Sequence, residues 1–399
     1  MQLTTTTATE AGDKDLPGHW ALLDEETRAL LRRARAYLDG VAPLIPAAER
    51  DRTFPTEIVP GLLDVGFVRG AIPVADGGLG LSHLASALLM EEAGRCWGSI
   101  RTTANILTLV AELLSMAGTD EQKERFLRPL LAGRRPGWFA ITEPDAGSDA
   151  TALSTRAERL PDGSWRLTGR KAYITNADHG DFGIVLATVD PDLGSRGVTA
   201  FLVERADGYR AVDRPHLPVR SVTCCDVELD GVVVPAANVL GEIGRGLSLA
   251  MRAVNAGRLN VSAGCTGLAQ AALEAATDHA RHRHQFGRPL AGFQLVQQLV
   301  VDIAVRTRAA RQMYQSAARL LDAGHQARTE CAMAKYYCSE AANAAATSAV
   351  QVFGAAGLMD GSVPERLFRD AREATIPEGT SQIQILGIGK ELLGVSALR

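Results

Sequence analysis

One carboxylate stands in an unusual setting near the C-terminal end of the sequence. Glu378 lies in "IPEGTSQIQ", residues 376 to 384, between Pro377 and Gly379. Acidic side chains on a protein surface normally face water or a basic neighbour. The residues that flank this glutamate are apolar or small, and none of them is charged. The first question about chemistry is therefore what a lone glutamate does in a tight, mostly apolar turn.

A second segment with chemical potential is "GWFAITEPDAGSDATAL", residues 137 to 153. Thr142, Gly147, Ser148 and Asp149 crowd a turn that offers hydroxyls and backbone N–H groups. Such a turn can hold a phosphate or the polar edge of a planar heterocycle. The alternative is a polar connection between two domains, and the residue types alone leave both interpretations open.

Two further segments carry aromatic and basic residues. In "KAYITNADHGDF", Tyr173 and Thr175 stand at a predicted strand end, where the ring either stacks on a ligand or belongs to the core. In "HARHRHQFGRPLAGFQ", Arg281 and Arg283 precede an aromatic residue and a turn, which is typical of a solvated helix end followed by a loop. The histidines at 279, 282 and 284 lack a further ligand pair, so no metal site is expected.

Composition limits the possible function classes. The chain has 399 residues, 46% hydrophobic and 22% charged, with a formal net charge of −4. It has no basic excess to indicate nucleic acid and no apolar run of about 18 residues to indicate a membrane span. The N-terminal residues 1–21 are predicted to be a disordered leader without the features of a signal peptide. Six scattered cysteines favour a reducing, cytoplasmic location.

The periodicity of apolar residues divides the chain into three parts. Residues 22–136 show the three-and-four spacing of helices, as in "DEETRALLRRARAYLDGVAPL". Residues 137–241 change to a period of two, as in "SWRLTGRKAYIT" and "VTAFLVE". Long helical patterns return over 242–399. The predicted order is therefore helices, then strands, then helices.

Taken together, these motifs resemble the acyl-CoA dehydrogenase family. The resemblance runs from about Leu22 to Leu393 and includes "ITEPDAGSD", "KAYITN", "RHQFGRPLAGFQLVQ", "AVQVFG", "PERLFRDAR" and "PEGTSQIQ". It implies an α+β protein with an N-terminal helical domain, a middle β-barrel and a C-terminal four-helix bundle. It also implies bound FAD and a homo-oligomer, usually a tetramer and sometimes a dimer.

The resemblance suggests an answer to the question about Glu378, which matches the family's catalytic base. In the family this base removes the α-proton of an acyl thioester while the β-hydrogen leaves as hydride to flavin N5. The thioester oxygen receives hydrogen bonds from the backbone N–H of the base and from a ribityl hydroxyl. A dry apolar pocket raises the pKa of a carboxyl group and makes its carboxylate a stronger base. Some relatives carry the base at a second position, which here is Gly257 and cannot act.

Other roles follow from the resemblance by position. Ser148 also matches a contact to the substrate pantetheine, and Arg258 matches an arginine beside the thioester channel. An intersubunit salt bridge is the alternative role for Arg258. The positions that match FAD contacts, some of them across a subunit interface, are Thr142, Gly147, Ser148, Tyr173, Thr175, Arg283, Phe286, Gln294, Gln351, Gly354, Thr380 and Gln382.

Arg101 is the candidate for selecting the acyl group. It lies on the predicted helix "CWGSIRTTANILTL", residues 96 to 109, without a charged neighbour at helical spacing. A cation there could hold a carboxylate or another polar end of a short acyl group. The alternative is an ion pair with one of three glutamates, Glu91, Glu92 or Glu112.

The resemblance predicts an FAD-dependent dehydrogenase that oxidises a short acyl thioester of CoA or of an acyl carrier protein. Its expected electron acceptor is an electron-transfer flavoprotein or a similar protein. The stretch "GSIRTT" also resembles dehydrogenases that act on carrier-protein-bound acyl units in polyketide extender-unit pathways. A flavin oxidase or oxygenase on the same fold is a further alternative, and a non-catalytic thioester-binding protein is another.

Overall fold

The first part of the chain is helical. A computed structural model describes residues 18–397. Two of the helices begin at side-chain caps, where Asp24 accepts from the Thr27 N–H at 2.7 Å and Ser82 accepts from the Ala85 N–H at 3.1 Å. The helices are α1 (Glu25–Val41), α2 (Ile45–Asp51), α3 (Val59–Val65), α4 (His83–Cys96), α5 (Gly98–Ala117), α6 (Asp120–Gln122) and α7 (Arg128–Leu131).

The prediction of a disordered leader over residues 1–21 was wrong for its last four residues. Residues 1–17 lie outside the described part of the chain, but Gly18–Trp20 forms a 3₁₀ turn. Trp20 is only 1% exposed, and the Arg35 guanidinium lies 4.5 Å from its ring centroid. Burying an indole ring stabilises the fold by the hydrophobic effect and anchors the chain at this point. Residues 18–21 are therefore part of the fold.

The middle part forms one sheet. Its strands are β1 (Gly137–Ala140), β2 (Arg156–Arg159), β3 (Trp165–Thr175), β4 (Phe182–Thr188), β5 (Val198–Glu204), β6 (Arg210–Asp213), β7 (Cys224–Val234) and β8 (Val239–Leu240). The strand order is β6-β7-β3-β2-β4-β5-β8, and β1 pairs in parallel with β4. The alternating segments "SWRLTGRKAYIT" and "VTAFLVE" correspond to β3 and β5.

The last part is again helical. Its helices are α8 (Gly246–His282), α9 (Gln294–Asp322), α10 (Arg328–Phe353), α11 (Val363–Glu373) and α12 (Ser381–Leu393). Between α8 and α9 lies a short hairpin of β9 (His284–Gln285) and β10 (Arg288–Pro289). Helices α8, α9 and α10 pack on one another, and α12 packs on α10. Buried alanines of α10 permit this close approach, since they add little side-chain volume between the helices.

Helix α5 joins the parts of the molecule. One face, with Leu107, Val110 and Leu114, packs into a core shared with Phe182 and Leu202 of the sheet. Other residues of α5 belong to the larger core that includes α4, α8 and α10. Helix α5 thus lies between the sheet and the helical bundle, where both can contribute to one site. No helix in the described residues is long and apolar enough to cross a membrane.

Candidate active site

Glu378 lies in the turn between α11 and α12, in a backbone conformation that is uncommon for residues other than glycine. Its φ angle is +57°, and Gly379 follows with φ +91°. The Glu378 carbonyl accepts hydrogen bonds from Arg258 Nε at 3.1 Å and Gln384 Nε2 at 3.0 Å. The Gly379 carbonyl accepts one from Lys335 Nζ at 2.8 Å. Side chains from three helices therefore hold the turn in this strained conformation.

The carboxylate of Glu378 points to the space between α5 and α8. It accepts a hydrogen bond from Asn105 Nδ2 at 3.2 Å. A Cβ atom on Gly257 would lie 2.8 Å from Glu378 Oε1, so the missing side chain leaves room for the carboxylate. Burial raises the pKa of Glu378, while the Asn105 hydrogen bond and the nearby cations Arg258 and Lys335 partly oppose that rise. The group combines the properties expected of a general base.

The backbone N–H of Glu378 is also available. Within the described part of the chain it forms no hydrogen bond, although the neighbouring Ile376 and Ser381 N–H groups both donate to carbonyl oxygens. Most buried N–H groups in proteins are paired. A free donor next to a basic carboxylate can bind the carbonyl oxygen of a ligand whose α-carbon faces the carboxylate.

Arg101 is buried beside this site and is paired with Glu373 on α11. Glu373 was not among the three glutamates expected as alternatives. Glu91 instead accepts from Arg311 and Tyr314, and Glu92 accepts from Arg35 at 2.6 Å. Glu112 forms no ion pair with any described residue. The alternative partners predicted for Arg101 were therefore wrong, because Glu373 reaches it from a distant part of the chain.

A buried ion pair supports the turn that follows β1. Lys171 Nζ donates to Glu143 Oε1 at 2.8 Å and to the Ile141 carbonyl at 3.2 Å. Glu143 also accepts from the Ser154 N–H at 2.6 Å and the Thr155 N–H at 2.9 Å. These bonds lower the pKa of Glu143 to about 2, although burial alone would raise it.

The predicted flavin contacts of the middle part lie around this ion pair. Thr142 is partly buried between Ile141 and Glu143, whereas Gly147 and Ser148 are exposed. Tyr173 is 69% exposed and has φ +61° at an irregularity of the β3–β7 pairing. It is therefore not a core residue, and its ring is free to contact a ligand. Thr175 ends the same strand and is half-buried.

A second group of predicted contacts lies at one end of the helical bundle. The His279 ring stacks on Phe353 with centroids 4.0 Å apart, which brings the end of α8 to the end of α10. Phe286 has φ +51°, is 92% exposed, and its ring contacts that of Phe293 edge-on. The other exposed members of this group are Arg283, Gln294, Gln351 and Gly354. Among the described residues, Thr142, Gly147 and Ser148 of the turn after β1 form no hydrogen bond or ring contact with this group.

Two predicted residues follow the base directly. Thr380 caps α12, since its hydroxyl accepts from the Ile383 N–H at 3.2 Å. Gln382 is exposed on the first turn of α12. The two predicted flavin contacts that follow Glu378 thus lie at the start of α12, and Gln384 of this helix donates hydrogen bonds to the turn that contains Glu378. Within residues 18–397, no group of three or more His, Cys, Asp and Glu residues is arranged to hold a metal ion.

The sequence interpretation missed several residues of the site. Asn105, Lys335 and Gln384 contact Glu378 or Gly379, and none of them was singled out. A signal did exist for Lys335, which is the only lysine of the alanine-rich α10, and for Asn105, which is an amide in the largely apolar α5. Burial lowers the pKa of Lys335 to about 8.

Comparison with known proteins assigns the class. The chain matches the family descriptions "Acyl-CoA dehydrogenase, N-terminal domain" over residues 24–134, "middle domain" over 138–232 and "C-terminal domain" over 244–393. The protein therefore belongs to the acyl-CoA dehydrogenase family and is an FAD-dependent oxidoreductase. Its α+β fold, with helical domains on either side of a sheet domain in the sequence, is that of the family.

Individual relatives resemble this chain over nearly its whole length. Caffeyl-CoA reductase-Etf complex subunit CarC of Acetobacterium woodii is 35% identical, over 92% of this chain and 98% of its own. The structure of butyryl-CoA dehydrogenase from Megasphaera elsdenii superimposes with a TM-score of 0.89 at 32% identity, covering 93% and 99% of the two chains. The prolyl acyl carrier protein oxidase AnaB has a TM-score of 0.88 at 28% identity, with coverage of 93% and 100%.

The residues present fit an FAD molecule. The turn after β1 offers hydroxyls and open backbone, and a Cβ atom on Gly147 would meet no atom within 4 Å. The exposed Tyr173 supplies an aromatic face beside this turn. FAD, when bound, supplies the acceptor for a hydride. A carboxylate such as that of Glu378 can accept a proton.

Proposed function

We propose that this protein oxidises a short acyl thioester, with Glu378 as the base that removes the α-proton. The single observation that carries the proposal is the arrangement at Glu378: a carboxyl group whose pKa is raised by burial, next to an unpaired N–H of the same residue. One group accepts a proton, and the other stabilises charge that develops on the thioester oxygen. Similarity to butyryl-CoA dehydrogenase supports a short acyl group.

The surrounding residues of the chain orient these two groups. Arg258, Lys335 and Gln384 hold the carbonyls of the turn, and Asn105 holds the carboxylate. A fixed base and a fixed N–H donor favour substrates bound with the α-carbon at the carboxylate, because positioning lowers the activation barrier. Gly257 leaves the approach to the carboxylate open.

The proposal gives each predicted site residue a role. Ser148 contacts the pantetheine of the substrate, Arg258 lies beside the thioester channel, and Arg101 remains a predicted contact for a polar acyl end. Because Arg101 is already paired with Glu373, an acidic acyl group would have to compete for it. The proposed contacts to FAD are Thr142, Gly147, Ser148, Tyr173, Thr175, Arg283, Phe286, Gln294, Gln351, Gly354, Thr380 and Gln382.

The first test is flavin reduction by thioesters. We expect the purified protein to contain about one FAD per chain and to lose its yellow colour anaerobically with a short acyl-CoA. The panel contains butyryl-CoA, its carrier-protein counterpart and glutaryl-CoA, and absorbance at the flavin band is measured. Absence of FAD after reconstitution, or no reduction by any thioester, would overturn the proposal.

The electron acceptor that reoxidises the reduced flavin distinguishes a dehydrogenase from an oxidase. The similarity to AnaB favours an oxidase acting on a carrier-protein substrate as the second candidate. The similarity to CarC, a subunit of a complex with Etf, supports an electron-transfer flavoprotein as acceptor. Slow reoxidation of the reduced protein in air, together with rapid reoxidation by an electron-transfer flavoprotein, is the expected result for a dehydrogenase. Rapid reaction with air would favour the oxidase.

We expect a homo-oligomer, a tetramer or a dimer, because Arg283, Phe286 and Gln351 are exposed at one end of the helical bundle and match FAD contacts that the family makes across a subunit interface. Phe286 and Arg283 then contact an FAD held mainly by a neighbouring subunit. Light scattering of the FAD-bound protein measures the mass, and Phe286→Ala is expected to lower FAD affinity in the oligomer. A monomer that binds FAD tightly would contradict this role.

The cytoplasmic location remains a prediction from the cysteine content.

A further inference from the structure

Lys335 of α10 is a fully buried cation without an ion-pair partner. The residue is 0% exposed, and within residues 18–397 it forms no ion pair. In the same range its ammonium group forms one hydrogen bond, to the Gly379 carbonyl at 2.8 Å. An ammonium group has three donors, and burying a charge that is not paired costs free energy. A position that keeps such a group is a candidate for a functional role.

The hydrogen bond of Lys335 reaches the turn between α11 and α12 that carries Glu378, residues 374–380, here called the base turn. The Gly379 carbonyl also accepts from Gln384 Nε2 at 2.9 Å, and the Glu378 carbonyl accepts from Arg258 Nε at 3.1 Å. Because peptide units are planar, fixing two consecutive carbonyls limits the rotations that would turn the N–H and the carboxylate of Glu378 away. Lys335 therefore acts on the base through the backbone.

The surroundings of Lys335 make its charge sensitive to pH. Burial has the largest influence and lowers the pKa of Lys335 to about 8, Glu378 of the base turn and Glu373 of α11 partly oppose this, and Arg258 of α8 adds to it. The Cys265 thiol of α8 is neutral near pH 8, because burial raises its pKa to about 11. The guanidinium of Arg258 does not lose its charge near neutral pH. Of the two cations that hold the base turn, Lys335 is thus the one that titrates.

The other helices that pack on α10 bring no free charge to this point within the described chain. From α12, the uncharged amide of Gln384 reaches the same carbonyl. The buried titratable side chains of α9 are Arg311 and Tyr314, and both bind Glu91. The charge on Lys335 therefore depends mainly on its burial and on the groups around the base turn.

We propose that Lys335 is a positioning residue for the base, and that its positive charge holds the carboxylate and the N–H of Glu378 in the reactive orientation. The inference rests on the proposed oxidation of acyl thioesters at Glu378. It adds a requirement to that reaction, namely that Glu378 is deprotonated while Lys335 is protonated. A neutral amine binds the Gly379 carbonyl less strongly than an ammonium group does, because charged donors form the stronger hydrogen bonds.

Flavin reduction should therefore depend on two titrations. The rate should rise as Glu378 loses its proton and fall as Lys335 loses its proton near pH 8. Stopped-flow reduction by saturating butyryl-CoA, from about pH 6 to about pH 10, measures this profile. Lys335→Arg is charged throughout this interval and Lys335→Met is never charged, so both variants should lack the decline near pH 8.

Rate and stability distinguish positioning from a structural role. Lys335→Met should reduce its flavin about tenfold more slowly than the wild type at neutral pH, because the base turn loses one of the side chains that hold it. Its melting temperature should stay the same or rise, since methionine removes a buried charge that has no ion-pair partner. Lys390→Met, the same substitution at an exposed position of α12, is the matched control and should behave as the wild type in rate and in pH profile.

The outcomes separate this inference from the proposed function. If no thioester reduces the wild-type flavin, both are overturned. If the wild type is reduced but Lys335→Met is equally fast, or keeps the decline near pH 8, the role of Lys335 is wrong and the proposed function stands. A slow Lys335→Met with a lower melting temperature and the wild-type pH profile indicates a structural role and also overturns the inference. Should neither variant fold with FAD bound, a wild-type rate that does not fall above about pH 8 overturns it.

Discussion

Glu378→Gln is expected to slow flavin reduction by the best thioester at least about a hundredfold, the usual scale for losing a general base. Glutamine keeps the size of the side chain and can still accept the hydrogen bond from Asn105, but an amide has no basic lone pair. FAD content should be unchanged, because the proposed FAD contacts lie on other residues. Stopped-flow absorbance under anaerobic conditions measures the rate.

The control for this change is Glu391→Gln, which makes the same substitution at an exposed position near the end of α12. It should reduce its flavin at the wild-type rate. Near-normal reduction in Glu378→Gln would show that the base lies elsewhere. The free N–H of residue 378 is retained in the variant, so thioester binding should persist while reduction is lost. If Glu378→Gln lost thioester binding as well as the rate of flavin reduction, Glu378 would have a structural role instead.

Lys171→Met is expected to cause the largest loss of stability, about 3–5 kcal/mol, because it leaves Glu143 buried without its cation. The pair is almost fully buried, and Glu143 also fixes the backbone at Ser154 and Thr155. The bonds of Lys171 hold Ile141 and Glu143 on either side of Thr142. We therefore expect weaker FAD binding as well, with a melting temperature lower by on the order of 10 °C.

Two measurements distinguish a broken ion pair from a generally poor substitution. The double variant Glu143→Leu/Lys171→Met should recover much of the stability, since an apolar pair leaves no buried charge. The second measurement is the stability of the wild type and of Lys171→Met as the pH is lowered. The pKa of Glu143 is about 2 in the folded protein against an ordinary value of 4.5. The ionised carboxylate of Glu143 therefore stabilises the folded protein fully above about pH 4.5, and this stabilisation is lost as the pH falls toward 2. Lys171→Met should lose less stability than the wild type over this interval. A double variant as unstable as the single one would contradict this account.

The sequence alone determined the family, the order of helices and strands, and the identity of the candidate base. Helices and strands could be predicted because apolar residues recur at the spacing that each element needs to bury one face. The segment interpreted as a helix over residues 96–109 corresponds to α5. The residue types around Glu378 also indicated a carboxylate without local charges, and the structure places it where burial raises its pKa.

Only the tertiary structure decided which side chains surround that base. Arg101 meets Glu373 across 272 positions of sequence, and Asn105 meets Glu378 across 273. Such contacts depend on how α5, α8, α10 and the base turn pack together, which the local spacing of residues does not specify. The unpartnered Glu112 was considered only as a possible partner of Arg101. A helical pattern shows that a carboxyl group is on a helix, but its partners and its pKa depend on the elements that pack around it in the folded protein.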